Sequence, residues 1–261
     1  MVTSHRGYTR QHPENSLAAF RAAADVGADF VEIDVRHTAD DALVLMHDGS
    51  VDRTTDGAGD VSALTLAEIR ELTLDSGESG NPESERVPTF AETLALAEEL
   101  GVMLYIDQKT DRWDLVLAEI QGGAYYDQSM VRDSLETVAA MSDLDPDLFV
   151  MPFVEDEAGF DAALVRLPNL RIVEVSAVGP RPELCAIIAE AGLKIQQDVL
   201  GPADIQASLG NYKAWKGYID AGVWLPSTDL PQLLAPAVEQ YNATGVFPES
   251  GPGDDLSSAA R

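Results

Sequence analysis

Residues 30–35 have the sequence FVEIDV, one of eight short β-rich runs that recur along the chain. Each run is followed by a stretch with the apolar periodicity of an amphipathic helix. Eight strands that alternate with eight helices predict an α/β fold, a parallel (β/α)8 TIM barrel. The other predicted strands are 2–5, 102–107, 125–131, 148–153, 170–175, 193–197 and 223–226, and the predicted helices are 15–26, 89–100, 112–121, 132–142, 156–166, 182–191, 204–221 and 230–242.

Two segments depart from this alternation. A further short strand at 43–46 follows FVEIDV before any helix, and residues 56–88 are then long, Gly-rich and polar, with one helix-like piece near 65–72. An insertion on the carboxyl side of a barrel strand can form a rim or a lid over the site. We therefore expect one barrel domain over 1–246, with 56–88 as a rim insertion, and a mobile tail over 247–261.

The composition limits the partners of this chain. Its 45 acidic and 17 basic residues give a net charge of −28, which repels nucleic acid and anionic membranes. The acidity indicates either a strongly solvated surface or adaptation to high salt, where self-repulsion is screened. No apolar run approaches the ~20 residues of a membrane span. Cys185 is the single cysteine, so no disulfide can form within the chain, and the short segment before His5 favours a cytoplasmic location.

Carboxylates lie at the predicted strand ends, where barrel enzymes place their active sites. Glu32 and Asp34 share one face of FVEIDV because side chains alternate along a strand, and Asp107 ends the run 102–107. A Glu-x-Asp pair alone is usually a solvated face, but carboxylates that converge are costly unless a cation neutralises them. Three such ligands suit a hard divalent ion, Mg²⁺ or Ca²⁺.

Imidazole and basic side chains lie at the same strand ends. His5 and Arg6 follow the first strand, His47 follows the extra strand, and Lys109 lies just beyond the strand 102–107. Arginine and lysine are suited to binding a phosphate, and two histidines are suited to general acid and general base roles in phosphorus–oxygen cleavage. The histidines without such a placement are expected to be structural: His12 and His37.

These motifs resemble the glycerophosphodiester phosphodiesterase family, which is similar in outline to spider-venom sphingomyelinases D and bacterial phosphatidylinositol phospholipases. The resemblance is close over residues 5–60, where HRG, PENSLAAF, GADFVEIDVRHTADDALVLMHD and DRTTDGAG follow in the family's order and spacing. It continues in VPTFAETLAL, LYIDQK and GVWLPSTDLP, whereas residues 110–220 match in their β/α rhythm alone.

The resemblance implies hydrolysis of a glycerophosphodiester to glycerol phosphate and an alcohol, through a cyclic phosphate and with one divalent metal. The order of the two histidines is open, although His5 is favoured as the base and His47 as the acid. The implied site has four groups of residues: metal ligands Glu32, Asp34 and Asp107, the acid–base pair His5 and His47, phosphate ligands Arg6 and Lys109, and supporting residues Glu14 and Asn15.

Three positions differ from the family pattern. Asp107 stands where most members have Glu, LKIQQDVL replaces the usual Trp-Thr-Val-Asn, and Trp224 stands where Asp is common. The last two changes lie where the family recognises the alcohol, so we expect Glu174, Gln196 and Trp224 to line that part of the site. Trp224 either provides a cation–π surface for a choline head group or packs the end of the barrel.

The residues also allow two other functions. One is phospholipase D-type cleavage of lysophospholipids, although the chain has no evident apolar or basic stretch for docking on a membrane. The other is a non-catalytic barrel that binds a phosphodiester, although a binding protein needs neither histidine. The substrate is expected to be a small molecule in each case, and the oligomeric state is open.

Overall fold

The computed structural model describes residues 1–75 and 85–251. Nine strands are found in these ranges: β1 Thr3–Ser4, β2 Phe30–His37, β3 Leu43–Leu45, β4 Met103–Gln108, β5 Ser129–Asp133, β6 Val150–Val154, β7 Ile172–Val175, β8 Lys194–Asp198 and β9 Leu225–Thr228. Eight of them are parallel neighbours in a ring, which closes because β1 pairs with both β9 and β2. β3 pairs antiparallel with β2 beside this ring. The predicted (β/α)8 TIM barrel is confirmed.

Helices surround the ring of strands. None in the described ranges is both long enough and apolar enough to cross a membrane. Apolar side chains between the strands and the helices form two large clusters, which together make up the main core. The helices are α1 Leu17–Asp25, α2 Leu66–Glu71, α3 Phe90–Leu100, α4 Trp113–Gly123, α5 Leu135–Leu144, α6 Glu157–Arg166, α7 Pro182–Glu190, α8 Pro202–Ser208, α9 Lys213–Asp220 and α10 Pro231–Thr244.

The interior of the barrel changes from apolar to polar along its axis. Near the amino ends of the strands it is filled by an apolar layer, whereas the side chains nearer the carboxyl ends are acidic, basic or amide groups. The polar chemistry therefore concentrates at the carboxyl end, as is usual for barrel enzymes. The apolar layer consists of Phe30, Tyr105, Met130, Met151, Ile172 and Leu225.

β1 is short because the chain turns sharply after it. Arg6 has φ 54° and Gly7 has φ 84°, both in the left-handed region. A Cβ at Gly7 would lie 2.7 Å from the Cβ of Ala19 on α1, so the close approach of this helix requires glycine. The unfavourable conformation of Arg6, which typically costs ~1–3 kcal/mol, directs its backbone N–H to Glu32 Oε2 at 2.9 Å.

The described part of the 56–88 insertion forms a small core of its own. Its helix α2 begins with a capping box between Thr65 and Glu68 and places Ile69 in a buried apolar cluster. Val44 of β3 and Val87, just before α3, belong to the same cluster. The insertion therefore packs on β3, while residues 76–84 of the predicted segment lie outside the described ranges.

The predicted helix 204–221 is two helices, α8 and α9. The chain leaves α8 through Gly210, which has φ 83°, and Asn211 pairs with Ser250. The buried indole of Trp215 donates to Asp204 Oδ1 at 2.9 Å across this break. The continuous apolar periodicity concealed the break because both helices bury their apolar faces in one cluster.

The predicted strand 125–131 begins later than expected. Residues 125–128 form a 3-10 helix after Ala124, which has φ 57°. Tyr125 and Tyr126 pack against the core, and the Tyr126 hydroxyl donates to Asp145 Oδ2 at 2.7 Å. Tertiary packing therefore overrides the β-propensity of the two tyrosines.

The predicted tail 247–261 is ordered at its beginning. Phe247 is buried beside Tyr241, and Tyr212 donates its backbone N–H to Glu249 O at 3.0 Å. Residues 247–251 therefore pack on the barrel, because Phe247 fills an apolar position. Residues 252–261 lie outside the described ranges.

Candidate active site

The three predicted metal ligands come together at the carboxyl end of the barrel. Asp34 of β2 is in register with Asp107 of β4, and Glu32 lies one pair earlier on the same inward face. One oxygen from each carboxylate lies within 4.8 Å of the other two. Glu32 and Asp34 are buried, and Asp107 is partly buried.

This cluster has the properties of a cation site. Burial, and then the charge of Asp34, raise the pKa of Glu32 to about 8. Asp34 Oδ1 is buried and accepts no hydrogen bond from any described residue. Three carboxylate oxygens, one of them without a donor, fit a hard divalent ion such as Mg²⁺ or Ca²⁺.

The two predicted phosphate ligands border the cluster. Lys109 Nζ lies 2.5 Å from Asp107 Oδ2 and 3.6 Å from Asp34 Oδ1. Arg6 Nε lies 3.4 Å from Asp34 Oδ2, and Arg6 Nη1 donates to Glu14 Oε1 at 3.2 Å. Both cations therefore stand next to the carboxylate cluster.

His5 is held by a carboxylate that was not among the predicted site residues, Asp229. Its Nδ1 lies 2.8 Å from Asp229 Oδ1, and the Asp229 N–H donates to the buried Asp204 Oδ2 at 2.7 Å. Burial lowers the pKa of His5, but the Asp229 hydrogen bond and the charge of Glu32 outweigh it and raise the pKa to about 9. A carboxylate on Nδ1 leaves Nε2 as the nitrogen for proton transfer.

His47 is arranged in the same way. Its Nδ1 lies 2.8 Å from Asp48 Oδ1, and its side chain is partly exposed. Arg36 donates to the backbone carbonyl of His47 at 2.6 Å and to that of Lys109 at 3.0 Å. Arg36 therefore joins the loops that carry His47 and Lys109.

Arg53 joins the two histidine-bearing segments. It donates to both oxygens of Asp48, at 2.6 and 3.0 Å, and to both oxygens of Glu14, each at 2.8 Å. The Arg53 hydrogen bond, followed by that of His47, lowers the pKa of Asp48. Because Glu14 also binds Arg6, an ion-pair chain runs from His47 to Arg6 through Asp48, Arg53 and Glu14.

Asn15 fixes the orientation of Asp34. Its side-chain amide donates to Asp34 Oδ2 at 2.9 Å and accepts the Asp34 backbone N–H at 3.1 Å. Asn15 has φ 54°, a conformation that asparagine tolerates better than most residues. The supporting position predicted for Asn15 thus has a specific contact.

Arg132 of β5 is a third basic residue at the cluster, beside Arg6 and Lys109, and it was not predicted from the sequence. Its Nη1 donates to Asp107 Oδ1 at 3.2 Å, while Nε and Nη2 donate to Glu174 at 2.6 and 2.9 Å. The Tyr105 hydroxyl also donates to Glu174, at 2.8 Å. Glu174 is therefore buried, and its charge is neutralised by Arg132.

Of the two other residues predicted to line the alcohol part of the site, Gln196 is buried, and Trp224 takes the second of its two predicted roles, packing at the end of the barrel. Gln196 is fully buried and donates to Asp198 Oδ1 at 3.0 Å, so Asp198 is the residue that reaches the surface. Trp224 precedes β9 and packs on the apolar layer at the opposite end of the barrel. Lys194 Nζ lies 5.4 Å from its ring centroid there.

His37 stays apart from the carboxylate cluster. Its Nδ1 lies 2.6 Å from Thr110 Oγ1, and Asp111 lies 3.9 Å away. These contacts agree with the structural role expected of it.

Comparison with known sequences finds relatives of this chain. The model of the glycerophosphoryl diester phosphodiesterase family matches residues 5–148, more than half of the chain. A glycerophosphodiester phosphodiesterase of Caldanaerobacter subterraneus subsp. tengcongensis is 40% identical over 110 residues, which are 42% of this chain and 45% of that protein. The match thus spans less than half the length of this relative.

Solved structures extend the likeness to the whole barrel. A glycerophosphodiester phosphodiesterase from Agrobacterium tumefaciens has a TM-score of 0.73 and 26% identity, covering 90% of this chain and 98% of that chain. A phosphodiesterase from Oleispira antarctica, solved in complex with the product sn-glycerol-3-phosphate, has a TM-score of 0.72 and 22% identity. That match covers 89% of this chain and 94% of the other.

Proposed function

The chain belongs to the glycerophosphoryl diester phosphodiesterase family, and from that premise we propose that it hydrolyses glycerophosphodiesters to sn-glycerol 3-phosphate and an alcohol. The observation that carries the proposal is the convergence of three carboxylates, two carboxylate-bound histidines and two cations at one end of the barrel. The product bound to the Oleispira antarctica phosphodiesterase is consistent with it.

Arg6 and Lys109 bind the phosphate in this proposal. Both are basic side chains that stand at the edge of the carboxylate cluster. The planar guanidinium of Arg6 offers several donors to phosphate oxygens, while Lys109 supplies a compact charge. Substrate binding would therefore redirect donors that now bind Glu14 and Asp107.

His5 and His47 transfer the protons. The glycerol 2-hydroxyl attacks phosphorus and gives its proton to His5, while the bond to the leaving alcohol breaks and that alcohol takes a proton from His47. The product of this step is a cyclic phosphate. Water then opens the ring with the two histidines in reversed roles, which restores both protonation states.

Glu32, Asp34 and Asp107 would hold one divalent cation, Mg²⁺ or Ca²⁺. When bound, the ion supplies positive charge at the phosphate and lowers the pKa of the attacking hydroxyl. Asn15 keeps Asp34 oriented toward the cluster. Arg132 and Lys109 bind one oxygen each of Asp107, so they fix a side chain that is one methylene shorter than the usual Glu.

The direct test is release of glycerol 3-phosphate from glycerophosphocholine by the purified protein, at low and high salt. Turnover should disappear after EDTA treatment and return with Mg²⁺ or Ca²⁺. If a glycerophosphodiester binds but no divalent ion supports cleavage, the chain is a binding protein and the proposed activity is wrong.

Arg53 is expected to act through the residues that it positions. Arg53→Gln removes the link between Asp48 and Glu14, and loosened placement of His47 and Arg6 should lower kcat by roughly 10- to 100-fold. Steady-state kinetics would measure the loss, and Arg53→Lys should recover little of it because lysine cannot bind both carboxylates bidentately.

The matched control is Arg21→Gln. Arg21 also pairs bidentately with a carboxylate, Glu99, on an exposed surface away from the barrel mouth. This variant should keep kcat within about twofold, since exposed pairs contribute little. An equal loss in both variants would mean that general surface charge, and not the position of Arg53, explains the effect.

A further inference from the structure

A largely apolar cavity of about 980 Å³ opens beside the candidate site, at the carboxyl ends of β7 and β8. Its walls include Ala177 and Pro180 after β7, Leu200 after β8, and Gly217 and Tyr218 of α9. The volume is in the range typical of small-molecule sites.

Two carboxylates line this cavity, and one of them connects it to the carboxylate cluster. Glu174 lines the cavity and binds Arg132, which in turn binds Asp107 of the carboxylate cluster. Asp198, the last residue of β8, lines the cavity too. A phosphodiester held at the cluster therefore has the cavity beside it, on the side of β7 and β8.

The charges of these two carboxylates differ in how they are balanced. Arg132 neutralises Glu174 through two hydrogen bonds. Asp198 accepts a hydrogen bond from the neutral amide of Gln196, and no lysine, arginine or histidine in residues 1–75 and 85–251 forms an ion pair with it. Lys213 on the cavity wall instead faces Glu249, with Nζ 3.6 Å from Oε2.

We propose that this cavity is the subsite for the leaving alcohol and that Asp198 makes it selective for an alcohol that carries an ammonium group, choline above all. The inference rests on the proposed phosphodiesterase function. A quaternary ammonium group has apolar methyls that pack against walls such as Ala177 and Leu200, and it has no donors that require partners. The positive charge of the ammonium group is balanced by Asp198, which has no ion-pair partner in the described ranges. A neutral polyol gains neither from the apolar walls nor from this charge.

The test compares kcat/KM for glycerophosphocholine, glycerophosphoethanolamine, glycerophosphoglycerol and glycerophosphoinositol, because all four give the same measured product. The choline substrate should exceed the glycerol substrate by about 10-fold, equivalent to ~1.4 kcal/mol, with ethanolamine between them. Asp198→Asn should reduce this ratio several-fold. The control Asp161→Asn, on the exposed face of α6, should leave the ratio unchanged.

A second measurement needs no Asp198 variant. Tetramethylammonium chloride should inhibit hydrolysis of glycerophosphocholine by the wild-type protein more strongly than sodium chloride at the same concentration. Gly217→Phe should weaken this inhibition by filling the cavity, because a Cβ at Gly217 has Pro180 Cγ as its nearest neighbour at 3.8 Å and meets no clash.

Each outcome decides one of the two proposals. Equal kcat/KM for all four head groups, or inhibition by tetramethylammonium no stronger than by sodium, overturns the ammonium subsite while the phosphodiesterase function stands. Hydrolysis of none of the four overturns the proposed function itself.

Discussion

Replacement of His47 by alanine is expected to lower kcat for glycerophosphocholine by roughly 10²- to 10⁴-fold, the usual contribution of one positioned proton-transfer group. The fold should persist, because the imidazole is partly exposed and its side-chain contact is with the adjacent Asp48. His5→Ala should cause a loss of the same size. Circular dichroism would confirm the fold, and release of glycerol 3-phosphate would measure the loss.

The identity of the leaving group should separate the two histidines. An analogue with p-nitrophenol as the leaving alcohol does not need a proton when the phosphorus–oxygen bond breaks. If His47 is the general acid, His47→Ala should recover much of its rate on this analogue, whereas His5→Ala should remain slow because the attacking hydroxyl still needs a base.

His37→Ala is the matched control, since that imidazole binds Thr110 and lies apart from the carboxylate cluster. It should keep kcat within about twofold on both substrates. Recovery of His5→Ala but not of His47→Ala would exchange the two roles. Full activity of either variant on glycerophosphocholine would remove that histidine from the mechanism.

The sequence predicted the fold and the carboxylate cluster because the information for both is local. Strand and helix periods alternate along the whole chain, and β2 and β4 carry their carboxylates in motifs whose ends are clear. The three carboxylates therefore meet as expected, since alternation along parallel strands in register dictates it.

Three of the missed residues share one physical cause, which is a strand end set too early. β5 was predicted to end at 131, β8 at 197 and β9 at 226, but they end at Asp133, Asp198 and Thr228. Reactive groups of a barrel lie at these ends, so a shift of one or two residues changes which side chains are considered. The residues lost in this way are Arg132, Asp198 and Asp229.

Trp224 shows the converse error, in which a residue at the amino end of a strand was predicted to belong to the site. Its aromatic ring suited a head-group site chemically, but it precedes the first residue of β9 and therefore faces the amino end of the barrel. Composition cannot reveal this, because the end of the barrel that a residue occupies depends on its exact position along the strand.

The metal-free protein is expected to lose stability as the pH rises. The pKa of Glu32 is raised from 4.5 to about 8, chiefly by burial and by Asp34, and that of His5 is raised from 6.5 to about 9 by Asp229 and Glu32 against the effect of burial. Both groups bind more protons when folded than when unfolded. Their stabilising contribution is complete below pH 4.5 for Glu32 and 6.5 for His5, and it is lost as the pH passes 8 and 9.

A bound divalent cation should weaken this dependence of stability on pH. Positive charge beside Glu32 favours its ionised form and lowers the pKa of His5, which at about 9 is too high for a base at neutral pH. The fall in Tm between pH 6 and 9 measured in EDTA should therefore flatten in Mg²⁺ or Ca²⁺. At 100 times Kd the ion adds ~2.7 kcal/mol, which corresponds to about 5–10 °C for a chain of this size.

Glu32→Gln tests whether the carboxylate cluster causes both the fall in Tm with pH in EDTA and the rise in Tm with metal. The amide keeps the shape of the side chain but removes the buried charge, so the Tm in EDTA should depend less on pH and the rise with metal should largely disappear. The control Glu98→Gln, on the exposed face of α3, should behave as wild type in both respects. Calorimetry at pH 6, 7.5 and 9, with EDTA and with each ion, gives the result directly. A metal-induced rise that survives in Glu32→Gln would mean that the ion binds elsewhere, because the two remaining carboxylates, Asp34 and Asp107, are already paired with Arg6, Lys109 and Arg132.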